Sequence, residues 1–388
     1  MINSGEAKPS FIFRKILSGL ALSAGLLILP SPSRAITFTV KYDTSVTTLT
    51  NAPAVEAAFA AATQVFTNQF TNPITIYLSV YWGNTGPFSG GVGLGSSSAT
   101  LIGTNGNSPF TYLQVTNALR LLRSTADDSN AVLSLPAADP LATNQWWMPM
   151  AEARALRTYL SPTATNSSDG PDGEVGFGST YTYTFSPTNR AVPGAYDFIG
   201  IAEHEISEVM GRTCGMNRFG DGLYVPFDLF RFTNNGARST QPTDKGVYFS
   251  VTKGLTAVKY FYTNENTGDI QDWLAGTTPD SYDATAPTGK LLEMTPADFT
   301  ALDVLGYNGI MATNPFYAGI KRTNGTYQLS FTNNPGANFS VMYATNLTLP
   351  QTNWTFLGNP TQSTAGHYLY IDTPGTTTNI RLYRIRSP

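Results

Sequence analysis

The chain has few histidine and cysteine side chains with which to bind a metal. Its 388 residues include two histidines, one cysteine and 26 Asp and Glu, against 23 Lys and Arg. A single cysteine excludes a disulfide framework, an iron–sulfur site and any four-cysteine zinc module. Two histidines exclude a three-histidine metal site within one chain. Any metal site must therefore combine carboxylates, or the one thiol, with at most two imidazoles.

One histidine lies in a motif with metal-ligand spacing, the segment 202–211, which reads AEHEISEVMG. Apolar residues recur here at helical spacing and predict a helix over about 196–211. His204 and Glu208 would then lie one turn apart on one face, where an imidazole nitrogen and a carboxylate can converge on a cation. Glu205 would lie about a quarter-turn away, where a carboxylate can hold a metal-bound water as general base.

This motif resembles that of the zincin metallopeptidases, H-E-x-x-H on a helix. The longer metzincin signature, H-E-x-x-H-x-x-G-x-x-H, is matched at His204, Glu205 and Gly211. It differs at Glu208, which replaces the second histidine, and at Cys214, which replaces the third; no convincing Met-turn follows. The variant His-Glu-Ile-x-Glu-Val-x-Gly is similar to that of a group of exported bacterial proteins. The resemblance implies a Zn²⁺-dependent metalloendopeptidase that acts on proteins or peptides, with Glu205 as general base.

Three residues are candidates for the third metal ligand. Asp228 follows His204 by 24 positions, similar to the spacing of the third ligand in gluzincins, but it is also interpretable as a structural buried carboxylate. Cys214 occupies the metzincin register, although a thiolate there resembles an inhibitory ligand. Asp221 lies between two glycines. The sequence slightly favours Asp228 over Cys214.

Replacing an imidazole by Glu208 has a chemical consequence. An anionic ligand lowers the net positive charge on the metal, so its bound water should be less acidic. The alternative hypothesis is therefore a non-catalytic exported binding or adhesion protein on the same scaffold. An open groove at the converging ligands would favour the enzyme, and a filled groove would favour the binding protein.

The first 35 residues are typical of a secretory signal peptide. Lys8, Arg14 and Lys15 precede an apolar run over 16–29, and small residues precede an expected cleavage after Ala35. The run is too short for a membrane anchor, and no later stretch is long enough. Charged residues make up only 13% of the chain, and the rarity of basic runs argues against nucleic-acid binding. We expect a secreted, extracellular protein.

The remaining chain divides into two predicted domains with a fold of the α+β class. Residues 36–312 would form the zincin-like metallopeptidase-type domain. Residues 313–388 would form a small all-β sandwich, similar to modules appended to many exported bacterial proteins, with a cell-surface or polysaccharide contact as its expected role.

The predicted helices are 53–70, 114–123, 150–159, 196–211 and 295–305. The predicted strands of the first domain are 36–40, 74–81, 174–177, 223–232 and 247–251, with a loop or hairpin over 83–98. The predicted strands of the second are 327–331, 339–344, 354–357, 367–371 and 380–385.

Overall fold

The computed structural model describes most of the chain from Ile36 onward. The described residues are 36–103, 108–141, 145–156, 170–216, 223–264, 268–309, 318–333, 337, 339–346, 348, 354–364, 366–374 and 381–386. Helices and strands both occur, which confirms the mixed α+β class. The predicted signal peptide, residues 1–35, lies outside the described residues. Within them, no helix has the length and apolar character needed to cross a membrane.

Seven helices and eighteen strands are found among the described residues. The helices are α1 Thr44–Thr47, α2 Ala52–Gln69, α3 Tyr112–Leu122, α4 Ala126–Leu133, α5 Met150–Ala155, α6 Phe198–Val209 and α7 Pro296–Asp303. The strands before α7 are β1 Thr37–Tyr42, β2 Thr75–Trp82, β3 Gly95–Ala99, β4 Leu101–Ile102, β5 Met148–Pro149, β6 Gly173–Phe177, β7 Tyr183–Thr184, β8 Tyr196–Asp197, β9 Arg231–Phe232, β10 Tyr248–Phe249 and β11 Lys259–Tyr260. The strands after it are β12 Ala318–Thr323, β13 Thr326–Thr332, β14 Ser340–Ala344, β15 Thr355–Gly358, β16 Thr361–Thr364, β17 His367–Asp372 and β18 Leu382–Arg386.

A four-stranded sheet of order β1-β2-β6-β3 organises the first part of the chain. Strands β1, β2 and β6 are parallel, and β3 pairs with β6 in the antiparallel sense at the edge of the sheet. Helix α2 connects β1 to β2 and buries Val55, Phe59, Ala62 and Phe66, which recur at helical spacing. The predicted helix 53–70 is thereby confirmed.

Helix α6 packs against β3, β6 and α2. The close approach of α6 to the sheet depends on Gly173 in β6, because a Cβ there would lie 2.5 Å from Cγ1 of Val209. Any larger residue would push the helix away from the strand. The last turn of the helix that carries the motif is therefore positioned by a glycine in a neighbouring strand.

The predictions for the segments 223–232 and 83–98 differ from the structure. The predicted strand over 223–232 is mainly a 3₁₀ turn, Pro226–Phe230, and only β9 is extended. Pro226 lacks an N–H, and the Asp228 carboxylate accepts the N–H of Val225, which favours the turn over a strand ladder. Within the segment 83–98, which is predicted as a loop or hairpin, the second half forms β3. This strand pairs with the distant β6, and that tertiary pairing supplies hydrogen bonds that its glycines and serines do not predict.

The C-terminal strands form two antiparallel sheets, of order β12-β13-β17-β16 and β15-β14-β18. Phe331, Phe339 and Tyr368 form a small aromatic core there, with ring centroids 4.8 to 5.1 Å apart. This cluster is separate from the main core, whose buried apolar residues extend from Ile36 to Tyr307. The described residues belong to one compact unit. The boundary at 312/313 lies outside the described residues and stays a prediction.

Separate apolar cores predict that residues 36–309 fold without the C-terminal strands. Limited proteolysis of residues 36–388 should cut near residue 313 and leave two resistant fragments, identified by mass spectrometry. A chain ending at residue 309 should unfold in a single cooperative transition. Loss of that transition on truncation, with no cut near residue 313 in the full chain, would contradict independent folding.

Candidate metal centre

Helix α6 carries the motif and is buried along almost its whole length. Of its residues, only His204 is partly exposed. At its start, the Asp197 carboxylate accepts the Leu292 N–H at 2.9 Å and pairs with Arg190 at 2.9 Å. These contacts hold the start of the helix. The predicted helix 196–211 is confirmed with slightly shorter bounds.

Three side chains converge at the exposed face of α6. His204 Nε2 lies 3.6 Å from Glu208 Oε1 and 3.2 Å from Asp272 Oδ1. One ligand atom from each of the three residues lies within 4.8 Å of the others. This His204–Glu208–Asp272 group could hold a metal ion. The one-turn spacing of His204 and Glu208 brings the two together as the sequence predicts.

The second nitrogen of the imidazole is oriented by the backbone. His204 Nδ1 lies 2.8 Å from the carbonyl oxygen of Ser281. A carbonyl oxygen only accepts, so Nδ1 is the N–H donor and Nε2 faces the two carboxylates. Metal-ligating histidines in proteins are oriented by this kind of hydrogen bond.

A buried arginine bridges the two carboxylates. Arg212 Nη1 lies 2.8 Å from Asp272 Oδ1, and Nη2 lies 3.4 Å from Glu208 Oε1. The guanidinium lies over the Tyr282 ring, 4.3 Å from its centroid. The chain reaches this position through Gly211, whose φ of 122° is left-handed and favours glycine. Arg212 therefore fixes the direction of both carboxylates.

Glu208 accepts further hydrogen bonds that favour its ionised form. Ser97 Oγ donates to Oε2 at 2.6 Å, and Gln271 Nε2 donates to Oε1 at 2.9 Å. Burial alone would raise the pKa of Glu208, but the His204 hydrogen bond and the Arg212 charge outweigh it and lower the pKa below its usual range. Burial would likewise lower the pKa of His204, but the Asp272 carboxylate raises it well above its usual value.

Glu205 has a different environment on the same helix. Its side chain is 6% exposed and makes no hydrogen bond to the described residues, although it lines the same cavity. Burial, and then the charge of Glu208, raise the pKa of Glu205 well above its usual value. Gly95 of β3 makes room for it, because a Cβ there would lie within van der Waals overlap of Glu205 Oε1.

The structure does not bring the predicted third ligands to this group. The Asp228 carboxylate accepts the N–H groups of Gly215, Met216 and Val225 at 3.0 to 3.2 Å, and the Cys214 thiol donates to it at 3.0 Å. Asp228 therefore serves as a buried backbone acceptor. Cys214 lines the cavity, but its thiol points to Asp228. Asp221 lies outside the described residues.

Sequence reasoning missed Asp272 and Arg212. Asp272 comes from an irregular segment far along the chain from α6, and no periodicity relates the two. The segment is fixed by tertiary contacts: Trp273 N donates to the Tyr282 carbonyl at 2.8 Å, and Trp273 Nε1 donates to Asp298 at 2.6 Å. Arg212 gives the one available signal. It directly follows the motif, and a buried arginine requires acidic partners.

The group opens into a cavity of about 630 Å³. Besides the site residues, its wall contains Gly95 and Ser97 of β3, Asp283 and Leu292. No protein-family model, curated protein or solved structure matches this chain. What the centre does must therefore be inferred from its own geometry.

The different roles of Asp228 and Asp272 predict opposite effects of the same substitution. Asp228→Asn leaves three N–H donors with a weaker acceptor, so the free energy of unfolding should fall by about 1–3 kcal/mol while metal content is unchanged. Asp272→Asn should weaken metal binding at least tenfold. Chemical denaturation and metal analysis by mass spectrometry measure both effects. Loss of metal in Asp228→Asn, with retention in Asp272→Asn, would contradict this assignment.

The bridging role of Arg212 predicts a large stability effect. Arg212→Met leaves the carboxylates of Glu208 and Asp272 buried without their fixed cation, so the free energy of unfolding of the metal-free protein should fall by about 3–5 kcal/mol. The matched control is Arg322→Met, an exposed arginine in β12, which should change it by less than about 0.5 kcal/mol. Equal effects of the two substitutions would show that Arg212 does not hold the site together.

Proposed function

We propose that the chain is a secreted, zinc-dependent metallopeptidase of the zincin type. His204, Glu208 and Asp272 would be its metal ligands and Glu205 its general base. The observation that carries this proposal is the convergence of one imidazole nitrogen and two carboxylates at an open cavity, with the imidazole oriented by Ser281. A bound Zn²⁺ supplies Lewis-acid polarisation of a carbonyl and lowers the pKa of a water molecule.

The donor set supports zinc over the hard cations. Catalytic zinc sites use three protein ligands from nitrogen, sulfur and oxygen donors and keep one position open. Calcium and magnesium prefer sites made of oxygen alone. His204 supplies the nitrogen, and the cavity on the exposed side leaves room for a further ligand.

Arg212 offsets the additional negative charge that Glu208 brings to the ligand set. Two carboxylate ligands carry one negative charge more than the two-histidine, one-glutamate set found in some zinc peptidases. The Arg212 guanidinium contacts both carboxylates and carries one fixed positive charge. The ligands together with Arg212 therefore have the net charge of that set, which supports catalysis despite the missing histidine.

Glu205 is suited to take and return a proton. Neither of its oxygens is held by a hydrogen bond from the described residues, so both can accept from a water molecule in the cavity. Its raised pKa favours holding the proton that the water gives up. The protonated carboxyl can then donate to the amine that leaves when the peptide bond breaks.

An extended peptide is the substrate class that the cavity wall supports. Strand β3 is at the edge of its sheet, and Gly95, Ser96 and Ser97 line the cavity. An edge strand can pair with an added peptide through backbone hydrogen bonds. The rival proposal, a non-catalytic binding protein, is less well supported, because the group opens into a cavity that no side chain of the described residues fills.

Two further parts of the proposal concern the ends of the chain. Residues 1–35 would be a signal peptide that directs secretion. The two C-terminal antiparallel sheets would pack as a β-sandwich that attaches the enzyme to a cell surface or polysaccharide. None of the described residues of the C-terminal sheets lines the cavity of the metal centre.

The test is metal content together with peptide cleavage for four proteins. The wild type should bind about one Zn²⁺ and cleave casein, and His204→Ala should lose both properties. Glu205→Gln should keep the metal and lose about 10²–10⁴-fold in rate, because it removes the general base. The control Glu56→Gln, which changes a carboxylate of α2 away from the cavity, should match the wild type.

A wild type that takes up no Zn²⁺ at micromolar concentration would refute the metal site. Metal binding without cleavage, unchanged by Glu205→Gln, would favour the binding protein.

A further inference from the structure

The cavity at the metal centre has a strongly acidic wall. Five carboxylates line it, and no lysine or arginine does so among the described residues. The five are Glu205, Glu208, Asp269, Asp272 and Asp283. Metal binding would use Glu208 and Asp272, and Arg212 offsets part of their charge from behind the wall. The remaining carboxyl groups of the wall are those of Glu205, Asp269 and Asp283.

Asp283 is the carboxylate that the proposed mechanism does not use. Its side chain is 6% exposed, and Oδ2 accepts the N–H of Asp280 at 3.1 Å. Oδ1 is buried and has no hydrogen-bond partner among the described residues. The nearby lysine, Lys259, is paired with Asp280 at 2.8 Å. A buried carboxylate oxygen without a donor is costly, and a cationic or N–H ligand would remove that cost.

The position of Asp283 relates it to the reacting bond. It follows Ser281, whose carbonyl accepts from His204, by two residues. Two residues span at most about 7 Å, which is comparable with the length of an extended lysine or arginine side chain. Ala284, Ala286 and Leu292 line the same cavity, so small and apolar groups are available to contact an aliphatic stem. The stem of a basic side chain commonly packs in this way while its charged end reaches a polar group.

We infer that the substrate carries a lysine or arginine side chain beside the scissile peptide bond, and that Asp283 binds its cationic group. The position of this side chain beside a cleaved bond rests on the proposed peptidase function. The cation site itself does not require catalysis. Burial and then the charge of Asp280 raise the pKa of Asp283 to about 7, so a bound cation would also stabilise the ionised carboxylate. Asp283 is thereby a specificity-determining residue.

The first experiment measures binding without turnover. The full-length mature protein is titrated by calorimetry with Nα-acetyl-arginine amide and with Nα-acetyl-citrulline amide, which is nearly isosteric but neutral. The arginine compound should bind at least tenfold more tightly, and added salt should reduce the difference. In Asp283→Asn the two should bind within about twofold of each other, whereas Glu56→Gln should behave as the wild type.

The Asp283→Asn variant is expected to fold, because the asparagine oxygen can still accept the Asp280 N–H and no buried charge remains. The comparison of the two compounds on the wild type needs no variant at all. Equal binding of arginine and citrulline amides by the wild type would overturn the inference. A preference for arginine that persists undiminished in Asp283→Asn would overturn the role of Asp283.

The second experiment separates this inference from the proposed function. Peptides that differ only at the residue beside the cleaved bond should show kcat/KM at least tenfold higher with Lys or Arg than with Leu, and lowest with Glu. Cleavage without this preference would refute the basic-substrate inference and leave the peptidase function standing. Selective arginine binding by a protein that cleaves no peptide would refute the peptidase function and support the cation site.

Discussion

The Arg212 guanidinium is fully buried between the carboxylates of Glu208 and Asp272, and the arrangement of the centre depends on this contact. A charge removed from water is tolerated only where partners surround it. Arg212 meets that condition through Asp272, Glu208 and the face of Tyr282. The helix that carries His204 and the distant segment that carries Asp272 are thereby tied to one cation. The same contact sets the charge that a metal ion at this position would experience.

The backbone around the centre is shaped to allow this contact. Gly211 turns the chain directly after α6 so that Arg212 folds back beneath the helix. Gly173 lets the last turn of the helix approach β6, and Gly95 leaves room for Glu205. A larger residue would displace Val209 of α6 at position 173 and Glu205 at position 95, and it would be strained by the left-handed backbone at position 211. The centre is therefore supported by close packing of backbone as well as by polar contacts.

The sequence predicted what depends on local spacing. The α6 motif, α2 and the one-turn relation of His204 to Glu208 follow from helical periodicity, and β1 follows from alternation with a period of two. Asp272 could not be predicted in this way, because its position follows from contacts of Trp273 with Tyr282 and Asp298. Asp228 was favoured because its spacing resembles that of a known ligand, but backbone N–H groups occupy its carboxylate. A loop or hairpin is predicted over 83–98, whereas the pairing of β3 with the distant β6 depends on tertiary contacts that local propensity does not show.

The wide separation of Asp272 from α6 along the chain links ion supply to folding. In an unfolded chain Asp272 is far from His204 and Glu208, so the joint affinity of the three donors for an ion is small compared with that of the folded protein. An ion that binds the folded form selectively stabilises it by mass action, and the gain grows with the logarithm of the free ion concentration. If the chain is secreted and binds an ion here, its stability would rise with the free concentration of that ion in its surroundings.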